Sequence, residues 1–435
     1  MFFGNKKEIK IAEELRDRSP DQSYRAMVQR QFRKNRLAVW SLRILYALIF
    51  IAIFGDFIAN EKPLYCKIDG KTYYPVCRQY LVDFGLAKWE AKFINSDWSD
   101  QEYESVIYPP IPYAAKTLDL KNTTKGPFSN QNVISKRFHH WLGTDHIGRD
   151  IAAGMIRGTR IALQVGIIAM GVATLIGLLL GGLAGFFGDD QLYVSRARLV
   201  LNILGVVLGI FYGFGVRSYT IMENGFLPGI FIGLLIFVAV MISANLLAKG
   251  INRIFPPKRK IALPIDIIVM RLIEIMNSIP NLIFLLAILA IIEKSSIINV
   301  MIIIGLIGWT GIARFVRSEL LRIRALDYIE AARSMGFTNF RILMRHAIPN
   351  ALTPVLISIA FGVAGAILTE ASLSFLGIGM PTDEVTWGKI LNLSRANISS
   401  WWLAIFPGFA IFITVTIFNL IGEGLTDAIN PNLKQ

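Results

Sequence analysis

Charge is scarce in this chain. Only 17% of its 435 residues are Asp, Glu, Lys or Arg, against about 25% in ordinary soluble domains. With 54% hydrophobic residues and a mean hydropathy of +0.50, it does not read as a string of soluble domains, although its length would allow several. No Gly-x-x-x-x-Gly-Lys-[Ser/Thr] phosphate loop occurs and no nucleophile stands with a base, so the chain is not expected to bind or hydrolyse ATP. Histidine is rare, and although His139, His140 and His146 lie close together, a metal centre needs further ligands in suitable geometry. Neither a metal nor a cofactor is expected. Acidic residues are outnumbered, giving a net charge of +14. The basic excess clusters beside apolar spans, as membrane orientation requires, and does not imply nucleic acid.

A transmembrane helix needs roughly 20 predominantly apolar residues. Eight stretches qualify: Leu37–Ile58, Ile161–Phe187, Leu199–Val216, Phe226–Leu247, Ile265–Ile292, Ile297–Ala313, Pro349–Leu376 and Trp401–Ile421. The sixth is short enough to extend into the basic segment after it. The first starts too deep in the chain, and is too long, for a cleavable signal peptide. Arg33, Lys34 and Arg36 precede it, which places residues 1–36 in the cytoplasm. The stretch from Lys6 to Arg36 mixes charge with Ala12, Leu15, Met27, Val28 and Phe32, the pattern of a helix on the inner membrane surface or of a solvated tail. Alternation then puts Lys249–Pro264 and Arg314–Arg345 inside, both rich in Lys and Arg. The segments Arg217–Gly225 and Glu293–Ser296, poor in positive charge, fall outside. Both termini are expected in the cytoplasm.

Residues 59–160 form the longest polar region, rich in turn formers such as Pro63, Gly70, Pro109 and Pro112. They read as a small external subdomain with short strands near Lys71–Pro75. Both cysteines, Cys66 and Cys77, lie here. An oxidising compartment would permit a disulfide, worth about 3 kcal/mol in the chain-entropy account; the alternative is two free thiols.

The most informative stretch is Glu330-Ala331-Ala332, then Gly336, then Ile348-Pro349, in a basic segment between two apolar spans. Tyr328–Met335 contains good helix formers and no breaker. Gly336 is placed to end that helix in a left-handed conformation, Thr338 or Asn339 to cap a second one through Met344, and Pro349 to sit in the first turn of the next span. The paired alanines leave a flat patch that another backbone can approach.

This pattern resembles the coupling loop of ABC-importer permeases: Glu-Ala-Ala, three residues, Gly, nine residues, Ile-x-Leu-Pro. Here His346 and Ile348 take the Ile and Leu positions, and Arg345-His346 is typical of the peptide branch. Further runs match the C-type dipeptide and oligopeptide permeases. His140-Trp-Leu-Gly143-Thr144-Asp145, then Gly148-Arg149-Asp150 and Gly158-Thr159-Arg160, precedes the second core helix. There glycines suit tight turns and Asp–Arg pairs would hold the helix entrance. Asp266, Arg271, Glu274 and Ser278-Ile279-Pro280 resemble the third core helix, Trp309 with Arg314 and Arg317 the approach to the loop, and Glu370–Gly379 the end of the fifth core helix. Trp387-Gly388 and Gly422, Asp427 and Asn430-Pro431 match the closing region. Ile58–Pro63, Asp69-Gly70 and Tyr74-Pro75 resemble the Yej-type subgroup, associated with oligopeptide and microcin C uptake. One departure stands out: residues 190–262, carrying two of the eight spans, are extra, and are expected to pack on the periphery.

The resemblance implies an all-α integral membrane protein, a type I ABC importer transmembrane domain with six core helices plus two inserted ones, beside the small periplasmic subdomain. The permease proper would cover 161–435, with the coupling loop at 314–348. Coupling to the ATPase would rest on Asp327, Tyr328, Glu330, Ala331, Ala332, Gly336 and Pro349. Glu370, the only acid well inside a late span, either lines the pathway or satisfies a neighbouring helix. The implied partners are ABC ATPase subunits, a second B-type permease, a periplasmic or lipid-anchored peptide-binding protein and membrane lipid, in a bacterial inner membrane. Nickel or another small solute is an alternative cargo. A channel, secondary transporter or membrane scaffold is the non-ABC alternative, but inverted repeats and broken midplane helices are not evident.

Overall fold

The computed structural model describes residues 24–94, 97–98, 101–133, 135–217, 226–257, 259–292, 296–379, 381 and 383–429. Residues 1–23 of the N-terminal segment, Ser218–Gly225, Lys258, Glu293–Ser295 and Asn430-Pro431 lie outside them. Among the described residues, seven helices are long and apolar enough to cross a membrane, and a bent pair makes an eighth.

Helix α1 (Tyr24–Lys34) leads into α2 (Arg36–Ile58), whose first turn is capped by the Asn35 side chain accepting the Ala38 N–H. The Asn35 amide also donates to Asp427, at 3.1 Å. The N-terminal end of α2 therefore meets the C-terminal end of the last helix.

The second span is longer than its apolar run. Helix α4 (Ile151–Phe187) has 37 residues and starts at Ile151, not Ile161. Two forces carry the extra turns despite Arg157 and Arg160. Asp150 caps the helix by accepting the Ala153 N–H at 2.7 Å. Ile151, Ala152, Ala153, Gly154 and Gly158 are buried, the last under Trp387, whose indole N–H donates to the Met155 carbonyl at 3.1 Å.

Before α4 comes the small polar subdomain. Strands β1 (Tyr65–Ile68), β2 (Lys71–Tyr73) and β3 (Ser105–Ile107) form an antiparallel sheet in the order β2-β1-β3. The inward residues of β1, Cys66 and Ile68, pack with Phe93 and Trp98. Helix α3 (Pro75–Asp83) follows β2. The structure holds no Cys66–Cys77 disulfide: Cys66 is buried beneath the sheet, whereas Cys77 is exposed on α3, and both are free. Strand alternation sends Cys66 into an aromatic core that Cys77 does not share.

The inserted pair comprises α5 (Arg196–Ile210), continued by one π turn to Gly215, and α6 (Phe226–Ile254). A two-stranded ribbon, β4 (Tyr193–Ser195) against β5 (Lys260–Ala262), closes its base. The two helices pack on each other at small residues, Gly205 facing Ala244 and Gly213 facing Gly233, and most of their remaining apolar surface is exposed.

The fifth expected span is broken. Helix α7 (Ile265–Ser278) and α8 (Asn281–Ile291) meet at 83° across Ile279-Pro280. Proline removes an N–H and pushes its predecessor out of the helical region, and Ile279 is extended. A broken helix is therefore present after all.

Helix α9 (Ile297–Ile323) runs ten residues past the apolar stretch, into the basic segment. It packs against α4 along a seam of glycines. A Cβ on Gly181 would lie 2.3 Å from the Ala313 carbonyl oxygen, and one on Gly185 would lie 2.6 Å from that of Arg317. Small residues let membrane helices approach this closely. After the coupling segment, α12 (Ile348–Phe375), a short α13 (Trp387–Leu393) and α14 (Trp402–Ile429) complete the bundle. The main core joins α4, α7, α9, α12 and α14 through side chains such as Phe186, Ile273, Leu320, Ile367 and Ile411.

Candidate coupling site

The segment after α9 folds as helix, turn, helix. Helix α10 (Asp327–Ser334) carries Asp327 and Glu330 in its first turn, where the helix dipole favours negative charge. Gly336 ends it at φ +79, a conformation glycine adopts without penalty. The Thr338 hydroxyl caps α11 (Asn339–Ile342) by accepting the Arg341 N–H. The second helix does not stop at Met344. A π turn, Leu343–Ala347, carries it without a break into α12, with Pro349 in the first turn.

Burial divides this segment into two faces. Ile329, Ala332, Ile342, Leu343 and Ala347 are buried in the main core, where each isoleucine side chain contributes about 2 kcal/mol. Asp327, Tyr328, Glu330, Ala331, Gly336 and Pro349 are exposed. The structure thus splits the paired alanines: Ala331 faces out, whereas Ala332 is 4% exposed and points into the bundle. Ala332 belongs to the anchor, not to a docking patch. The Tyr328 hydroxyl accepts the Asn350 side-chain N–H at 3.2 Å, tying α10 to the start of α12. Arg333 donates to Gln191 at 3.3 Å, tying it to the chain just before β4.

Four exposed apolar side chains extend the outer face: Met335, Phe337, Phe340 and Met344. Sequence reasoning missed them. Their signal was present, since 337, 340 and 344 share one face at helical spacing. Arg341 lies over the Phe337 ring at 5.7 Å and His346 stacks on that ring.

The remaining candidates lie elsewhere. Glu370 is buried within α12, where it accepts the Ser374 hydroxyl at 2.6 Å and a second hydrogen bond from Thr386. Thr386 in turn caps α13. Gly388 sits so near α12 that a Cβ there would lie 2.4 Å from the Ala371 oxygen. This geometry makes Glu370 a clasp between α12 and α13. On α9, Arg317 forms a two-pronged ion pair with Asp266 of α7. At the entrance to α4, His140 is fully buried between Asp150, at 2.8 Å, and Asp119, at 3.3 Å, and stacks on Tyr113. Burial alone would lower its pKa, but the hydrogen bonds and charge of Asp150 and Asp119 outweigh it and raise the value above normal. Arg149 pairs with Asp145 at 2.8 Å, and Gly143 and Gly148 both have positive φ. The run from His140 to Asp150 caps the start of α4. No metal-holding cluster occurs among the described residues.

Comparison with known proteins gives the wider context. Residues 263–435 match the family described as Binding-protein-dependent transport system inner membrane component, a match that starts where the inserted pair ends. Residues 23–74 match the N-terminal TM domain of oligopeptide transport permease C. The inner membrane ABC transporter permease protein YejE of Escherichia coli is 27% identical, over 92% of this chain and 95% of its own length. The peptidoglycan transport system permease protein YejE of Agrobacterium fabrum is 25% identical, over 92% of this chain and 91% of its own. The glutathione transport system permease protein GsiD of Pectobacterium atrosepticum is 30% identical, over 75% of this chain and 81% of its own. With that identity and coverage, and with this arrangement of membrane helices, the chain belongs to the binding-protein-dependent transport system inner membrane components, the permease subunits of ABC transporters.

Proposed function

We propose that this chain forms half of the translocation pathway of an ATP-driven peptide importer in a bacterial inner membrane. It would be joined by a second, B-type permease, two ATPase subunits and a periplasmic peptide-binding protein. The observation that carries the reading is the two-faced α10: Glu330 and Ala331 are exposed while Ile329 and Ala332 are locked in the core. An ATPase groove that receives the outer face moves α9 and α12 with it, because interfaces packed like this shift as rigid bodies. Glu330 and Asp327 supply ionic contacts, Ala331 permits close approach, and Gly336 sets the bend that presents the Phe337–Met344 surface. Tyr328, through Asn350, fixes α10 against the next span, which Pro349 opens. The site, and with it both chain ends, faces the cytoplasm, where ATP is available.

The cargo class follows from the relatives, whose names carry oligopeptide, peptidoglycan and glutathione transport. The shared chemistry is a short chain of amides with charged ends. The test is co-purification of the chain with its ATPase from mild detergent, with and without Glu330→Ala and Gly336→Pro, followed by uptake in vesicles. ATPase capture that the double variant weakens, with uptake of oligopeptides, muropeptides or glutathione, supports the proposal. A chain that purifies without any ATPase, or a complex that moves none of these cargoes, overturns it.

A further inference from the structure

Between the inserted helices lies an open groove of about 930 Å³. Its wall on α6 is ordered by chemistry along one stripe. Val238 and Ile242 come first, Asn245 next, and Lys249 and Arg253 last, at the three- and four-residue steps that share a helix face. Arg198 of α5 faces the same basic end and donates through Nε to Asn245 at 2.8 Å. From Val238 to Arg253 the stripe covers roughly 22 Å of helix. Neither Lys249 nor Arg253 has an ion pair with the described residues. The described parts of α5 and α6 contain no acid at all. Three cations thus face a groove with no acid paired to them among the described residues.

We propose that this groove binds an anionic phospholipid of the inner leaflet. The stripe reproduces the depth order of such a lipid: hydrocarbon, then amides at the level of the ester groups, then cations at the phosphate. A basic pocket between membrane helices recognises an anionic headgroup by charge, and the apolar half supplies the chain contacts that a free phosphate cannot use. The basic end lies on the face of the coupling site, since β4 follows Gln191, which accepts from Arg333 of α10. The inner-leaflet assignment rests on the cytoplasmic placement of that site.

The test uses the full complex in mild detergent, read by native mass spectrometry with added phosphatidylglycerol, phosphatidylcholine or inorganic phosphate. Each cation near the surface is worth about fivefold, so Arg198→Gln with Lys249→Gln and Arg253→Gln lowers phosphatidylglycerol retention by roughly a hundredfold. All three side chains are exposed, so the variant keeps its elution profile. Val238→Trp, which fills the hydrocarbon half, reduces retention with every cation in place. Equal retention of phosphatidylcholine, unchanged retention by the triple variant, or displacement of the lipid by inorganic phosphate alone overturns the proposal. Orientation is checked separately in intact cells with an impermeant thiol reagent, using Lys249→Cys in a Cys77→Ser background. Protection supports an inner-leaflet site, and labelling from outside overturns it even if the charge effect stands.

Discussion

Ala331 and Ala332 are adjacent and identical, yet substitution at the two sites should fail in different ways. Ala331 is exposed on α10, so Ala331→Glu changes stability by no more than about 0.5 kcal/mol, as for an ordinary surface site. The carboxylate occupies the surface where the ATPase is proposed to make its closest approach, beside Glu330. A central interface position of this kind costs about 2 kcal/mol or more, roughly a thirtyfold loss of ATPase affinity. Ala332 is 4% exposed and packs in the core that holds Ile329 and Ile342. Ala332→Glu buries an unpaired carboxylate, at a cost of several kcal/mol. The assay is a pair of measurements on each purified variant: thermal unfolding of the chain, and stimulation of the ATPase in the assembled complex. Ala331→Glu should unfold like the parent and lose stimulation, while Ala332→Glu should unfold at lower temperature. If both variants melt early, or if Ala331→Glu keeps full stimulation, the division of α10 into an anchored and a docking face is wrong.

Other outcomes follow from the same geometry. Gly181→Val drives a side chain into the Ala313 carbonyl, so thermal unfolding of the purified chain should show a loss of about 1–3 kcal/mol or more; an unchanged midpoint would mean that the α4–α9 seam is looser than described. The raised pKa of His140 means that its contribution is full below the unfolded value of about 6.5 and is lost as pH rises through the higher folded value. Asp119 has the opposite sign, because hydrogen bonds from Asn122 and His140 outweigh its burial and lower its pKa. Its share is present above about pH 4 and is lost as pH falls through the folded value. Protease resistance of the subdomain that precedes α4 should therefore weaken on both sides of that window, and His140→Gln should abolish the alkaline limb. Cys77 should react with an impermeant thiol reagent in the folded chain and Cys66 should not; a reductant-dependent melting temperature would contradict the free thiols.

Much of this architecture can be read in the sequence because lipid imposes a simple rule: long apolar runs become helices. The eight spans, the short sixth one reaching into the basic segment and the turn at Gly336 all follow from local chemistry. Other features depend on what a side chain meets in three dimensions. The first ten residues of α4 carry Arg157 and Arg160, which ended the hydropathy signal, although Asp150 and Trp387 hold them in the helix. Pro280 marks the break between α7 and α8, but apolar residues on both sides hid it. Nothing in Glu-Ala-Ala tells which alanine faces inward, since the phase is set by the buried Ile329. Spacing placed Cys66 near Cys77, but strand alternation turned one thiol into an aromatic core. Glu370 reads in sequence as a pathway acid or a structural one, and the partners that hold it, Ser374 and Thr386, are set by the fold.

Helix α4 has a mechanical consequence. Its 37 residues reach about 55 Å, well beyond a hydrocarbon layer of about 30 Å. One end is held by Asp150 and the buried imidazole of the subdomain that precedes it. The other is pressed backbone to backbone on α9, which leads directly into the coupling segment. Such a rod cannot bend at either seam without breaking contacts that glycine alone allows. If α10 docks an ATPase as proposed, displacement of that end of α4 would be delivered to the subdomain at the other end as rotation or tilt, and the same lever would work in reverse.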